Sequence, residues 1–186
     1  MLDPVEVLAI APDSLTLAAG SADHKVYIWN LDNISAATNS GGAAGESKYL
    51  LDKPDLIIKS EFPVLFMVYS PDGSQLALAG TGWNVRVVNS ANGELISNLK
   101  GSKDQINSLA VSPDGQTVIV SERVPLVFDS GSRSGLKLWN AQTGTMKADL
   151  GKDVKERMAA AAYSPDGKWL AVCRGGEANG LAGKVT

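Results

Sequence analysis

Ser70-Pro71-Asp72-Gly73 is a four-residue sequence that this chain repeats as Ser112-Pro113-Asp114-Gly115 and as Ser164-Pro165-Asp166-Gly167. A degenerate copy, Ala11-Pro12-Asp13-Ser14, precedes all three, and each copy separates two short apolar runs. In such a sequence proline presets φ at the first central position, aspartate accepts local backbone hydrogen bonds, and glycine adopts the positive φ that closes the turn. The motif therefore predicts a hairpin turn between two strands, and its recurrence predicts a repeat architecture.

The distances between the copies indicate the size of the repeat. The copies at Ser70 and Ser112 start 42 residues apart, which matches the roughly 40 to 45 residues of a four-stranded propeller blade. The two longer distances each contain an insertion. Residues 33–47 are small, polar and glycine-rich, which is typical of a flexible loop. Residues 122–135 contain the apolar run 124–128, which could form a small extra hairpin arm.

Short runs of alternating residues, such as Val85-Arg86-Val87-Val88, predict strands in the rest of each repeat. The alanines near residues 154–161 also suit a helix, but their position before a turn motif favours a strand over residues 158–163. We therefore predict an all-β chain of β-propeller blades, each with four antiparallel strands, about four repeats in an incomplete ring. The expected repeats cover about residues 5–60 with the insertion 33–47, 64–100, 105–151 with the insertion 122–135, and a truncated 157–186.

The predicted last repeat ends before its fourth strand. A propeller protects its strand edges by closing a ring of about 4 to 8 blades, which these repeats do not complete. The sequence is therefore interpreted as a fragment of a longer propeller. Its last sheet is expected to present an unpaired edge, and such an edge favours self-association.

Composition limits the partners that this chain is expected to bind. The formal net charge is −3 and no basic run occurs, which argues against a nucleic-acid partner. No apolar stretch reaches the roughly 18 residues of a membrane span, and no signal-peptide pattern is visible. The single cysteine excludes an internal disulfide and a multi-cysteine metal site. These features predict a cytoplasmic chain with no membrane partner.

Three segments after the predicted second strands carry a family resemblance. Ser21-Ala22-Asp23-His24-Lys25-Val26-Tyr27-Ile28-Trp29-Asn30 and Gly135-Leu136-Lys137-Leu138-Trp139-Asn140 end in Trp-Asn, and Asn84-Val85-Arg86-Val87-Val88-Asn89 has valine in place of the tryptophan. With the turn motif, these segments resemble the WD-repeat β-propeller family. The family's Gly-His pair is missing, and Asp23 alone matches its structural aspartate, so the resemblance implies an incomplete hydrogen-bond network in each blade.

The residues that could take part in catalysis are better explained by structural roles. His24 has no second histidine or cysteine pair with which to form a site, so we interpret it as a loop residue. The turn aspartates are expected to form local hydrogen bonds, and Cys173 is interpreted as a small buried apolar residue. We expect no catalytic residue, no cofactor and no metal.

The resemblance implies a non-catalytic scaffold that binds a protein or peptide, as the regulatory or binding part of a larger protein. The connection between the second and third strands opens on the ring face that this family uses most for partners. The alternatives are a propeller enzyme of hydrolase or lyase type and a ligand-sensing propeller, with the active residues on missing blades. Aromatic residues and arginines are typical interface anchors. The candidate partner-binding residues are Trp83, Lys103, Arg123, Phe128, Arg133 and Arg174.

Overall fold

The fold consists almost entirely of short β-strands. The computed structural model describes residues 4–33, 35–36, 49–50, 53–80, 84–100, 105–123, 134–150, 157–164, 166–175 and 184–185. Among these residues, one 3-10 turn spans Leu31–Asn33. The strands are β1 (Val5–Ile10), β2 (Thr16–Ser21), β3 (Lys25–Asn30), β4 (Ser35–Ala36), β5 (Tyr49–Leu50), β6 (Leu56–Lys59), β7 (Val64–Tyr69), β8 (Gln75–Gly80), β9 (Val85–Asn89), β10 (Leu95–Leu99), β11 (Gln105–Val111), β12 (Thr117–Arg123), β13 (Ser134–Asn140), β14 (Met146–Asp149), β15 (Arg157–Tyr163), β16 (Leu170–Gly175) and β17 (Lys184–Val185).

Neighbouring strands pair locally into four antiparallel sheets. Sheet 1 has the order β1-β2-β3-β6, sheet 2 β7-β8-β9-β10, sheet 3 β11-β12-β13-β14 and sheet 4 β15-β16-β17. The short strands β4 and β5 pair with each other at the two ends of the first insertion. The prediction of an all-β fold is confirmed, including the strand over residues 158–163. The sheets of the described residues are not closed into a ring, as in an incomplete propeller.

Each full copy of the turn motif forms the hairpin between the first two strands of its sheet. In the first copy the Gly73 amide donates to the Ser70 carbonyl at 2.8 Å, and Gly73 has a φ of 74°. The Ser70 hydroxyl donates to Asp72 Oδ1 at 2.6 Å and accepts the Gln75 amide at 2.9 Å. The hydroxyl thus links the start of the turn to the first residue of the next strand. The same hydroxyl bonds recur in the copies at Ser112 and Ser164.

The degenerate first copy makes the same turn with fewer bonds. The Ser14 amide donates to the Ala11 carbonyl at 2.9 Å, but Ala11 has no hydroxyl to bond Asp13. Ser14 stands where the other copies have glycine and adopts a φ of 61°. A non-glycine residue in this left-handed region is strained.

The sheets stack face to face along the chain. Their first strands lie side by side, β1 beside β7, β7 beside β11 and β11 beside β15. We call the face toward the preceding sheet the rear face and the face toward the following sheet the front face. The front face of sheet 1 presents small or branched side chains such as Ala18 and Val26 to Met67, Leu76 and Leu78 on the rear face of sheet 2. This apolar contact repeats between sheets 2 and 3 and between sheets 3 and 4.

The two ends of the sheets differ in construction. One end, the turn end, carries the Pro-Asp-Gly hairpins and the turns between third and fourth strands. These turns bond to each other, since Ser90 donates its amide to the Ser74 carbonyl and its hydroxyl to the Gly73 carbonyl. The opposite end, the loop end, carries the connections between second and third strands and those between successive sheets. The turn end also carries the longest connection of sheets 1 to 3, residues 31–55 between β3 and β6.

Candidate partner-binding site

The described part of the chain includes two of the six predicted partner-binding residues. Arg123 is the last residue of β12, where its backbone is opposite Gln105 and Ser134 at the loop end. Arg174 lies on β16 opposite Met158, also toward the loop end. Four predicted residues lie outside the described residues: Trp83, Lys103, Phe128 and Arg133. The strands on both sides of these four end or begin at the loop end.

The connection from β2 to β3 contains a network centred on Asp23. Its carboxylate accepts hydrogen bonds from Lys25 Nζ at 2.7 Å and from the Tyr27 hydroxyl at 2.5 Å. Burial alone would raise the pKa of Asp23, but hydrogen bonds from Lys25, Tyr27 and Ser21 lower it below its ordinary value. The Tyr27 ring stacks on Trp29 with centroids 6.0 Å apart. Asp23 is therefore held ionised by its own blade, with no histidine in the network.

A buried ion pair lies in the corresponding part of sheet 3. Lys137 Nζ donates to Glu122 Oε2 at 2.6 Å, and the Glu122 side chain is only 1% exposed. The other carboxylate oxygen, Oε1, is buried and has no hydrogen-bond partner among the described residues. Glu122 lies one residue before the end of β12 and Lys137 lies in the middle of β13, and the insertion 124–133 connects these two strands. The strands that hold the second insertion are therefore linked by a buried charge pair.

These polar groups occupy one repeated position. Tyr27, Arg86 and Lys137 each lie two residues before the end-of-strand Trp-Asn or Val-Asn pair, on the third strand of sheets 1, 2 and 3. Arg86 is paired with Glu61, at 3.7 Å between Nη1 and Oε1. Our sequence reasoning missed this set because its members differ in residue type. Aligning the third strands by their final asparagines is the signal that would have found it.

The residues interpreted as structural have structural surroundings. His24 lies in the turn before β3 with a φ of 65°, and its carbonyl accepts the Ser60 amide. Cys173 is a free, half-buried cysteine on β16. The Ser-bonded aspartates of the turns have lowered pKa values because serine hydroxyls and backbone amides donate to them, as for Asp72 and Asp114. Among the described residues, no group of three or more His, Cys, Asp or Glu side chains could hold a metal ion.

Comparison with known proteins agrees with this repeat structure. The sequence profile of the family described as "WD domain, G-beta repeat" matches residues 3–30 and 93–140. An uncharacterized WD repeat-containing protein from Synechocystis is 24% identical over 175 residues, which cover 86% of this chain and 47% of that protein. The chain thus spans about half the length of the curated relative that it matches.

The stacked antiparallel sheets define a repeat protein of the β-propeller type. Its repeats within residues 3–30 and 93–140 are similar to those of the WD-repeat family. WD repeats generally mediate protein interactions, and the family is generally non-catalytic. Within the described ranges, no helix is both long and apolar enough to cross a membrane.

Proposed function

We propose that this chain is a non-catalytic WD-repeat scaffold that binds a protein or peptide partner at its loop end. The observation that supports this is the arrangement of the connections at the loop end. The connections between second and third strands all lie at this end, and their length differs from sheet to sheet. Binding residues concentrate on loops held by a rigid scaffold. At the turn end, by contrast, the turn after β9 bonds to the neighbouring hairpin through the Ser90 hydroxyl.

The proposed partner contacts are Trp83, Lys103, Arg123, Phe128, Arg133 and Arg174. This set combines two aromatic residues with three arginines and a lysine, and aromatic residues and arginine are enriched among the residues that dominate binding energy. The apolar run 124–128 between two arginines has the composition of an interface core with a charged rim. We further propose that the chain acts in the cytoplasm as the binding or regulatory part of a larger protein.

Quantitative affinity capture tests the proposal. The full chain, immobilised, is compared with two loop-end variants, Trp83→Ala and a deletion of residues 124–128. We expect both to lose the proteins that the unchanged chain captures specifically. The matched control is Gln142→Ala, which changes an exposed residue at the turn end and should retain them. His24→Ala and Cys173→Ala should retain them too.

The result that would overturn the proposal is equally specific. If both loop-end variants fold, as judged by circular dichroism, and capture the same proteins in the same amounts, the loop end is not the binding surface. Loss of capture in Gln142→Ala alone would assign binding to the turn end instead.

A further inference from the structure

Arg86 is a largely buried arginine whose guanidinium group is poorly paired. It is the second residue of β9, at the loop end, and lies opposite Leu78 on the face of sheet 2 that packs on sheet 1. Its side chain is 15% exposed, and its contact with Glu61 spans 3.7 Å between Nη1 and Oε1, which is longer than a hydrogen bond. Its Nε is buried and has no hydrogen-bond partner among the described residues. A guanidinium carries five N–H donors, and buried donors are normally used, so Arg86 has donors left to offer.

The same position in the two neighbouring sheets has a close carboxylate. In sheet 1 the Tyr27 hydroxyl donates to Asp23 at 2.5 Å. In sheet 3 Lys137 Nζ donates to Glu122 at 2.6 Å. Both carboxylates belong to the same blade as their donor. Among these three positions, that of Arg86 thus has a cation in place without a carboxylate within hydrogen-bond distance.

The sequence of sheet 2 explains why its own blade supplies no such carboxylate. At the position of Glu122, sheet 2 has Gly80, since each lies ten residues after the serine of its turn motif. A Cβ on Gly80 would lie 1.7 Å from the Pro63 carbonyl oxygen, so no side chain fits there unless the backbone moves. Residues 81–83, which precede β9, are Thr-Gly-Trp and include no acid. Glu61 is 80% exposed, and a surface pair of this kind contributes little.

Arginine is concentrated at the end of the sheets where Arg86 lies. All five arginines of the chain are at or next to a strand terminus of the loop end. Besides Arg86, they are Arg123 and Arg174 near the ends of β12 and β16, and Arg133 and Arg157 beside the starts of β13 and β15. The turn end instead carries the aspartate of each turn motif. A carboxylate is therefore repelled from the turn end and finds arginine donors at the loop end.

We propose that Arg86 binds a carboxylate of the partner, supplied by an aspartate or glutamate side chain of a bound peptide. This inference rests on the proposed function and specifies it: the loop end between sheets 1 and 2 selects an acidic segment. One guanidinium donates two parallel hydrogen bonds to a carboxylate, which positions and orients the peptide. Glu61 is mostly exposed and loosely paired, so it can turn into solvent when the partner's carboxylate takes its place.

The charges around Arg86 favour a carboxylate over a phosphate group. A phosphorylated side chain carries a charge of about −1.5 to −2. Glu61 already contributes one negative charge beside this arginine. A second, doubly charged group would exceed what one guanidinium neutralises, whereas a single carboxylate that replaces Glu61 matches it.

Selection from a displayed library of random peptides, on the immobilised full chain, tests this inference. Peptides enriched by the unchanged chain should have aspartate or glutamate at one fixed position. The most enriched peptide is then synthesised in its acidic form and in an amide form, with asparagine or glutamine at that position. In fluorescence polarisation, Arg86→Gln should bind the acidic form about 10-fold to 100-fold more weakly than the unchanged chain does. The amide form should bind both chains equally weakly.

Three further variants separate this role from a structural one, with circular dichroism as the check that each is folded. Lys168→Gln removes a positive charge from a 76% exposed side chain at the turn end and should keep the affinity. Arg86→Lys keeps the charge but not the parallel donors, so it should recover only part of the loss. Glu61→Gln removes the competing acid and should bind the acidic peptide more tightly. Weaker binding by Glu61→Gln would show that Glu61, and not Arg86, contacts the peptide.

The outcomes distinguish this inference from the proposed function. If the selected peptides lose binding in Trp83→Ala but bind Arg86→Gln unchanged, the loop end binds a partner and the inference about Arg86 is wrong. Equal affinity of the acidic and amide forms for the unchanged chain also overturns it, and this comparison does not depend on the folding of any variant. If the chain selects no peptide, or if binding survives both Trp83→Ala and Arg86→Gln, the proposed function fails together with this inference.

Discussion

The hydroxyl of Ser97 on the outer strand of sheet 2 donates a buried hydrogen bond to the carbonyl of Ala141 in sheet 3. Beside it, Gly144 approaches the backbone of Asn98 so closely that an added Cβ would lie 2.5 Å from the Asn98 carbonyl oxygen. The turn after the Trp-Asn pair of one blade therefore rests directly on the outer strand of the blade before it. Gly93 makes the same kind of approach to Ile58 of sheet 1.

This close approach predicts different effects for two glycines with the same backbone conformation. Gly144 and Gly115 have φ values of 68° and 69°, but a Cβ on Gly115 would meet only ordinary contacts, the nearest at 3.7 Å. Gly115→Ala should lower the free energy of unfolding by about 1 kcal/mol through left-handed strain. Gly144→Ala should lower it by a further amount of about 1–3 kcal/mol, because the backbone of Asn98 must move. Urea unfolding of both variants measures the difference, and equal losses would show that the blades do not touch there.

The degenerate turn predicts a stabilising substitution. Ser14 adopts a φ of 61° where the other copies have glycine, so Ser14→Gly should remove strain and raise the free energy of unfolding by about 0.5–1 kcal/mol, despite the greater freedom of glycine in the unfolded chain. The reverse change, Gly73→Ser, should destabilise by a similar amount, because its Cβ would make only an ordinary 3.6 Å contact with Pro12. In thermal unfolding, Ser14→Gly should raise the melting temperature and Gly73→Ser should lower it. A lower melting temperature for Ser14→Gly would contradict the argument.

The hairpins and the sheet class could be predicted from the sequence because their causes are local. Proline, aspartate and glycine set the turn within four residues, and alternation sets the strands on either side. The contacts between blades could not be predicted in this way. Whether Gly144 needs to be glycine depends on Asn98, which is distant in sequence and becomes a neighbour only after the blades stack. The extent of β12 and β13 was also underestimated, since pairing continues to Arg123 and Ser134.

The candidate site was predictable only in outline. The loop end follows from the order of strands, and the second insertion, between β12 and β13, follows from the longer distance between two turn motifs. The pair of Glu122 and Lys137 was not predicted, because a buried charge pair has no local sequence signature. At the corresponding position, sheet 1 has the Asp23 network instead. The proposed contacts at Trp83 and Phe128 remain a prediction.

The buried ion pair of Glu122 and Lys137 predicts that stability falls strongly when only one of the two side chains is replaced. Removing one partner of a buried ion pair leaves the other charge buried, which costs about 3–5 kcal/mol. Glu122→Leu and Lys137→Met should each be strongly destabilising. The double variant should recover most of the loss, since apolar replacement of a whole buried pair is often neutral. A double-mutant cycle by urea unfolding checks this, and additive losses would mean that the two side chains do not act together.

The buried hydroxyl of Tyr69 predicts that its removal does not destabilise the core. Its hydroxyl is buried and has no hydrogen-bond partner among the described residues. Burial, with the negative charge of Asp13, raises the pKa of Tyr69 to about 12. Tyr69→Phe should therefore leave stability at neutral pH unchanged or raise it by up to about 1 kcal/mol. Since a raised pKa favours the neutral phenol in the folded state, wild-type stability should fall as pH rises from 10 toward 12, and Tyr69→Phe should lose less over this range. Equal alkaline losses in both proteins would contradict this assignment.

The serine hydroxyls of the turns predict a specific loss of stability in acid. Hydrogen bonds from Ser112 and from the Gln116 amide lower the pKa of Asp114 below its ordinary 3.8, so the folded state favours the carboxylate. The unfolded chain then binds more protons, and the stabilisation present above pH 4 is lost as pH falls through the folded-state pKa. Ser112→Ala should lower the free energy of unfolding by about 1–2 kcal/mol at pH 7 and by less at pH 3, where the aspartate is increasingly protonated.

Ser90→Ala is the matched control, because the Ser90 hydroxyl donates to the Gly73 carbonyl, which does not titrate. In urea unfolding, Ser90→Ala should lose the same free energy of unfolding at both pH values. If the loss in Ser112→Ala is also independent of pH, the Ser112 hydroxyl does not stabilise the Asp114 carboxylate.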